Sequence, residues 1–147
     1  MRSDVAADLT RRHGFGHWSS AATERGVVHG IKSSCVLIAR SGTAIVGTLR
    51  LATKKPWAID TKYFTAVPRA IYLLDMAVDP RLQRHGIGRR LIDEARKVVR
   101  RWPGDAIRLD AYDANAGAGG FYEKCGFRQV GRATYRGVPL VYFELLV

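Results

Sequence analysis

Residues 71–102 read IYLLDMAVDPRLQRHGIGRRLIDEARKVVRRW, and the pattern changes period once along the way. Ile71 to Val78 is almost continuously apolar, the composition of a strand buried on both faces. Asp79-Pro80 ends it, and Gly86-Ile87-Gly88 opens the next element. There Ile87, Leu91, Ile92, Ala95, Val98, Val99 and Trp102 share one helical face. Arg89, Arg90, Asp93, Glu94, Lys97 and Arg101 fall largely on the other. Pro103-Gly104 stops the helix. Strand, glycine turn and helix in this order make an anion site. Glycines let a ligand approach the backbone closely, and the first-turn N–H groups lack intrahelical acceptors. The positive end of the helix dipole stands behind them. Arg81, Arg84, His85, Arg89 and Arg90 add positive charge. A helix that merely follows a glycine-rich turn shows the same spacing, because short glycine motifs carry little specificity.

Working outward, 147 residues predict one domain spanning 1–147 with a core of its own. Apolar residues make up 47% and charged residues 25%, which is ordinary for a globular chain. No apolar run approaches the ~20 residues of a membrane helix, and the N-terminus carries no signal-peptide core. The expected location is cytoplasmic, with no membrane partner. Cys35 and Cys125 stand far apart without metal-ligand spacing, so reduced, buried thiols and no metal are expected. The 24 Lys and Arg against 13 Asp and Glu leave a formal charge of +11. Such a surface attracts polyanions and speeds encounter with an anionic ligand. A nucleic-acid partner is compatible with that charge but is supported by no motif, and a coding bias toward arginine produces the same excess.

Before the central stretch, Ser3-Asp4 can cap a short helix through about His13, with Val5, Ala6 and Leu9 facing inward. Gly14 and Gly16 break it, and Phe15 and Trp18 are expected to pack. A second helical stretch, about 21–31, is interrupted by Gly26 and Gly30. Cys35–Ala39, a turn at Ser41-Gly42 and Ala44–Leu51 read as a β-hairpin. Lys54–Pro68 has no periodicity and holds Trp57, Tyr63 and Phe64 among lysines. It is either a binding loop or a surface excursion whose aromatics tuck into the core. After the helix, Ile107–Ala111 is a second buried strand parallel to Ile71–Val78. Asn115–Lys124 is a short helix ended by Gly126, and Val130–Tyr135 and Val138–Leu146 form a closing hairpin turning at Arg136-Gly137.

Two runs carry a resemblance. Gln83-Arg84-His85-Gly86-Ile87-Gly88, led in by Met76-Ala77-Val78-Asp79-Pro80, is similar to the Q/R-x-x-G-x-G/A signature of the GNAT superfamily, the acetyl-CoA-dependent N-acetyltransferases. Asn115 to Phe127, NAGAGGFYEKCGF, resembles that family's second signature, N-x-x-A-x-x-F-Y-E-K-x-G-F. The likeness covers roughly Ser34 to Val147. It implies an α/β GNAT fold: a mixed, mostly antiparallel sheet with a splayed parallel strand pair, flanked by helices. Family members usually begin with a strand, and nothing before Ser34 reads as one. An edge strand left uncovered invites pairing with another chain, which makes a homodimer an expectation.

The resemblance also assigns residues. It implies acetyl-CoA as co-substrate, its diphosphate on Arg84, His85, Gly86, Ile87, Gly88 and Arg89. The pantetheine arm would bond the backbone at Met76, Ala77 and Val78, and Asn115 would bond the arm or orient a water. Tyr122 stands where the family carries its general acid; a phenol with a reference pKa of about 10 is protonated at neutral pH and can donate. A backbone N–H near Met76 would polarise the carbonyl. The general base is open. Many relatives carry a glutamate where this chain has Tyr72. Asp75 and Asp110 are acids in apolar strands, either active-site bases or hydrogen-bonded structural acids. A water chain to bulk solvent serves as well. The implied reaction is acetyl transfer to a primary amine of a small molecule, peptide or protein; RNA or aminoacyl-tRNA as acceptor, or a non-catalytic basic nucleic-acid-binding domain, is the alternative. A Rossmann module competes only on Asp110, about 20 residues after Gly88, because Leu91 stands where the third glycine belongs.

Overall fold

The computed structural model describes residues 1–20 and 22–147. Among them the order is α1 (Arg2–His13), α2 (Glu24–Lys32), β1 (Cys35–Ser41), β2 (Ala44–Ala52), β3 (Ala70–Val78), α3 (Ile87–Arg101), β4 (Ala106–Tyr112), α4 (Gly119–Lys124), β5 (Arg128–Tyr135) and β6 (Val138–Leu146). Hydrogen-bonded neighbours run β1-β2-β3-β4-β6-β5. The pairs β1–β2, β4–β6 and β5–β6 are antiparallel and β3–β4 is parallel. The expected fold class is therefore present, with β1 on one edge and no strand before it among the described residues. A doubly wound Rossmann sheet is excluded by this order.

The chain divides into two compact units, 1–52 with 74–95 and 53–73 with 96–147. In the first, β2 passes so near α3 that a Cβ on Gly47 would stand 2.9 Å from Leu91 Cδ1 and 3.0 Å from Ile87 Cγ2. The apolar face read from sequence is the face that meets the sheet: Leu91, Ile92 and Ala95 are buried. Arg50, on β2, ties three elements together. Its Nε donates to Asp75 Oδ2 on β3 at 2.7 Å, and its Nη1 donates to Gly30 O of α2 and to Ser34 Oγ, both at 3.1 Å. Arg50→Ala is therefore expected to lower the unfolding free energy by about 2 kcal/mol, the scale of hydrogen bonds to a charged group. Urea titration against Arg50→Lys, which keeps the charge but not the fork, checks it.

Three expectations about the N-terminal region are corrected. Helix α1 is capped by Met1, with no side-chain cap, so Asp4 sits inside the first turn and pairs with the terminal ammonium at 3.0 Å. None of its residues is fully buried; Val5, Ala6 and Leu9 are half-buried. Phe15 does not pack, being 91% exposed, whereas Trp18 is half-buried and donates from Nε1 to Gly14 O at 3.0 Å. Helix α2 begins at Glu24 because Thr23 accepts from Gly26 N. The earlier start expected at Ala21 lies outside the described residues.

In the second unit, β5 and β6 join through Arg136 (φ 49°) and Gly137 (φ 80°), two left-handed residues in succession, as a two-residue hairpin of this hand demands. The 53–68 loop follows both of its readings. Ile59 and Phe64 are buried against Tyr72, Leu140 and Tyr142, while Trp57 is 83% exposed. Two polar groups strap the loop to the sheet. Tyr142 donates its hydroxyl to Ala58 O and accepts from Asp60 N at 3.3 Å. Glu144 accepts from Thr65 N at 3.2 Å, and its ion-pair partner Arg108 (Nε–Oε2 3.2 Å) donates to Thr65 O. The expected helix from Asn115 is shorter than predicted. It starts at Gly119, and Asn115 lies in the preceding turn. Small residues, Gly and Ala, fill 116–120, and they carry no side chain that can cap a helix earlier.

Candidate active site

The glycine turn is built by capping on one side and by left-handed backbone on the other. Asp79 accepts from Arg81 N at 3.0 Å and pairs with the Arg81 guanidinium; that side-chain bond is the main cause of a carboxyl pKa lowered to about 2. Gln83 Nε2 reaches back to Val78 O at 3.4 Å, and His85 Nδ1 contacts Gln83 O at 2.9 Å. Arg84 (φ 66°) and Gly86 (φ 80°) are both left-handed. Residues of that hand curl successive N–H groups into a concavity suited to anions. The first bond of α3 runs from Arg90 N to Gly86 O at 3.0 Å, so the helix supplies no acceptor for the amides of Ile87 and Gly88. A Cβ built on Gly86 meets nothing within 4 Å: the space over the turn is open. Arg84, His85 and Arg89 are exposed around it.

The strand leading into the turn is irregular. Asp75 has φ 51°, in a region a non-glycine residue rarely enters. Its carboxylate is held at both oxygens, Oδ1 by Arg2 at 2.8 Å and Oδ2 by Arg50 at 2.7 Å. Of the two readings of Asp75, the hydrogen-bonded acid is the one this geometry supports. Following it, Ala77 is buried while Met76 and Val78 are half-buried. The parallel ladder between β3 and β4 spans three pairs, Ala70–Ala106, Ile71–Ile107 and Tyr72–Arg108. Beyond it β3 continues to Val78, and β4 stays paired with β6 as far as Tyr112 opposite Leu140.

In the second unit, Tyr122 on α4 is buried in an aromatic nest. Its ring makes edge contacts with Phe121 at 5.3 Å and Phe127 at 5.6 Å, and a tilted one with Phe143 at 5.9 Å. Burial, and then the charge of Asp110, push its hydroxyl well above the usual phenol range. Asp110 is half-buried on β4, opposite Tyr142 in the ladder, and burial raises its carboxyl above the ordinary carboxylate range. Tyr122 and Asp110 thus sense one another; Asn115 is exposed in the β4–α4 turn. Among the described residues, no cluster of His, Cys, Asp or Glu suited to a metal is present, and no helix is long and apolar enough to cross a membrane.

The model of the acetyltransferase (GNAT) family matches residues 5–127. The chain belongs to this family. Solved GNAT structures share its fold. One is the ribosomal-protein-S18-alanine N-acetyltransferase of Escherichia coli, at TM-score 0.66 and 19% identity, covering 97% of this chain and 85% of that one. A GNAT acetyltransferase of Elizabethkingia anophelis with acetyl-CoA bound gives 0.62 and 15%, over 85% and 84%. A Bacillus subtilis acetyltransferase in complex with CoA gives 0.64 and 18%, over 85% and 84%. No curated protein matches the chain in sequence. Five residues that shape the GNAT domain were missed in the sequence: Arg2 and Arg50, which clamp Asp75, and Arg108, Glu144 and Tyr142, which root the loop. Arg108 and Glu144 did leave a signal, each being a charge inside an otherwise apolar strand.

Proposed function

We propose that the chain transfers the acetyl group of acetyl-CoA directly to a primary amine. The observation that carries this reading is the turn at Arg84–Gly88: left-handed backbone, open space over Gly86 and acceptor-free amides at the head of a 15-residue helix. Its chemistry fits a diphosphate. The amides of Ile87 and Gly88 would hold it, with the side chains of Arg84, His85 and Arg89 neutralising its charge. The backbone of Met76 to Val78, beyond the end of the parallel ladder, would take the amide-rich arm, and Asn115 would add a side-chain bond. Bound there, the donor supplies an activated thioester.

The remaining chemistry belongs to the protein. Tyr122 protonates the departing thiolate, its buried hydroxyl keeping its proton across the neutral range. The Met76 amide polarises the thioester carbonyl, re-aimed by the left-handed Asp75 before it. Asp110 is the stronger of the two candidate bases, because the Asp75 oxygens are already engaged by arginines. Asp75 then serves as a positioning residue, holding the irregular strand in place. Trp57, on the rooted 53–68 loop, faces the acceptor side in this reading.

Gly86→Asp tests the reading. A carboxylate over the turn repels the diphosphate, and the left-handed φ adds backbone strain, so acetyl-CoA affinity by calorimetry should fall about thirtyfold. Retained affinity in a folded variant would sink the phosphate cradle. Asp110 makes a separate prediction about pH. A base works deprotonated, so kcat/KM should rise with pH through a pKa above the ordinary carboxylate value. Asp110→Asn should erase that limb. The linked effect on stability has the opposite sign: with its pKa raised in the fold, Asp110 favours the native state at acid pH and loses that contribution as pH rises through the raised value.

A further inference from the structure

Beside the glycine turn lies a second cationic feature that the proposed chemistry leaves unused. A cavity of about 310 Å³ lies between the end of the β1–β2 hairpin and the first turn of α3; Arg40, Ser41, His85 and Arg90 line it together with the apolar Val46 and Leu82. No carboxylate lines it. Its walls are preformed. The β1–β2 register shifts between Ala39 and Arg40, a bulge of the kind that re-aims a side chain. The close approach at Gly47 locks the hairpin against Ile87 and Leu91, and Asp79 N donates to Val46 O at 2.9 Å, joining the hairpin to the start of the turn.

Two guanidiniums and an imidazole beside apolar side chains suit a phosphate monoester borne on a flat apolar body. The donor proposed above ends in such a group. Its adenosine carries a 3′-phosphate on the same ribose whose 5′ side bears the diphosphate, so a nucleotide seated on the turn holds its 3′-phosphate one sugar away. His85 belongs to both the turn and the cavity, and Arg90 follows directly on the first turn of α3. We infer that this cavity recognises the 3′-phosphoadenosine end of coenzyme A, with Arg40 and Arg90 as the anion ligands that set preference for CoA over its dephosphorylated form. The inference rests on the acetyl-CoA reading.

The test is calorimetry with CoA, dephospho-CoA and adenosine 3′,5′-bisphosphate on the unaltered protein, Arg40→Ala and Arg90→Ala. The unaltered protein should bind CoA about tenfold more tightly than dephospho-CoA, the worth of one charge-assisted contact. Each variant should shrink that ratio to about twofold by weakening CoA alone, with dephospho-CoA affinity unchanged. Adenosine 3′,5′-bisphosphate should compete with CoA. Equal affinity for CoA and dephospho-CoA, or variants that weaken both alike, would overturn the assignment while leaving the diphosphate cradle standing. Binding of the bisphosphate to protein already saturated with CoA would assign the cavity to a free nucleotide and overturn it too. If the unaltered protein binds no CoA at all, the donor reading fails, and this inference with it.

Discussion

Tyr122→Phe should lower kcat by about 10²- to 10⁴-fold, the usual worth of a positioned acid, while leaving acetyl-CoA affinity within about twofold. The asymmetry follows from where the residue sits. Phe keeps the ring among Phe121, Phe127 and Phe143, so the aromatic packing survives and only the hydroxyl is lost. An interaction made only as the thiolate departs contributes to kcat and not to binding. The pH profile gives a second check. Because burial holds the hydroxyl protonated, the variant should scale the whole neutral profile down without moving its acid limb, which belongs to Asp110. Release of CoA thiol with an accepted amine measures both. Undiminished turnover would remove Tyr122 from the mechanism.

The largest stability effect is expected at Glu144. Its side chain is 1% exposed and that of its partner Arg108 is 6% exposed, so Glu144→Ala leaves a guanidinium buried without its counter-charge. Removing one member of a buried pair costs about 3–5 kcal/mol. Here Thr65 N also loses its acceptor, and the exposed Arg128 loses a partner at 3.7 Å. The double variant Arg108→Met/Glu144→Leu should recover much of the loss, since apolar residues of similar volume remove both charges together. Urea midpoints for the three proteins decide it. A single variant as stable as the parent would mean that water reaches the pair and the burial is only apparent.

Elements with a strong period were legible from residues alone. The α3 face, the β1–β2 hairpin and the closing β5–β6 turn at Arg136-Gly137 all stand where their patterns place them. The cradle was legible too, because glycine spacing is a backbone requirement written into composition. Long-range side-chain choices were not. Nothing near Asp75 in sequence names Arg2 or Arg50 as its partners, 73 and 25 residues away. Phe15 was misjudged for a related reason: an aromatic between two glycines reads as a packing residue, yet burial depends on what the loop passes over. Asn115 was drawn into a helix because its motif was read as one unit, although the helix starts only at Gly119.

The roots of the 53–68 segment have an evolutionary corollary. Ala58, Asp60 and Thr65 are anchored to β6 or its partner Arg108, and Ile59 and Phe64 are sunk into the core, but residues 54–57 precede every anchor to the sheet. Those four positions can be rewritten as a cassette without disturbing the scaffold beneath. A lineage carrying this domain can then change which amine it selects by drift at Lys54 to Trp57, while the donor machinery is inherited intact.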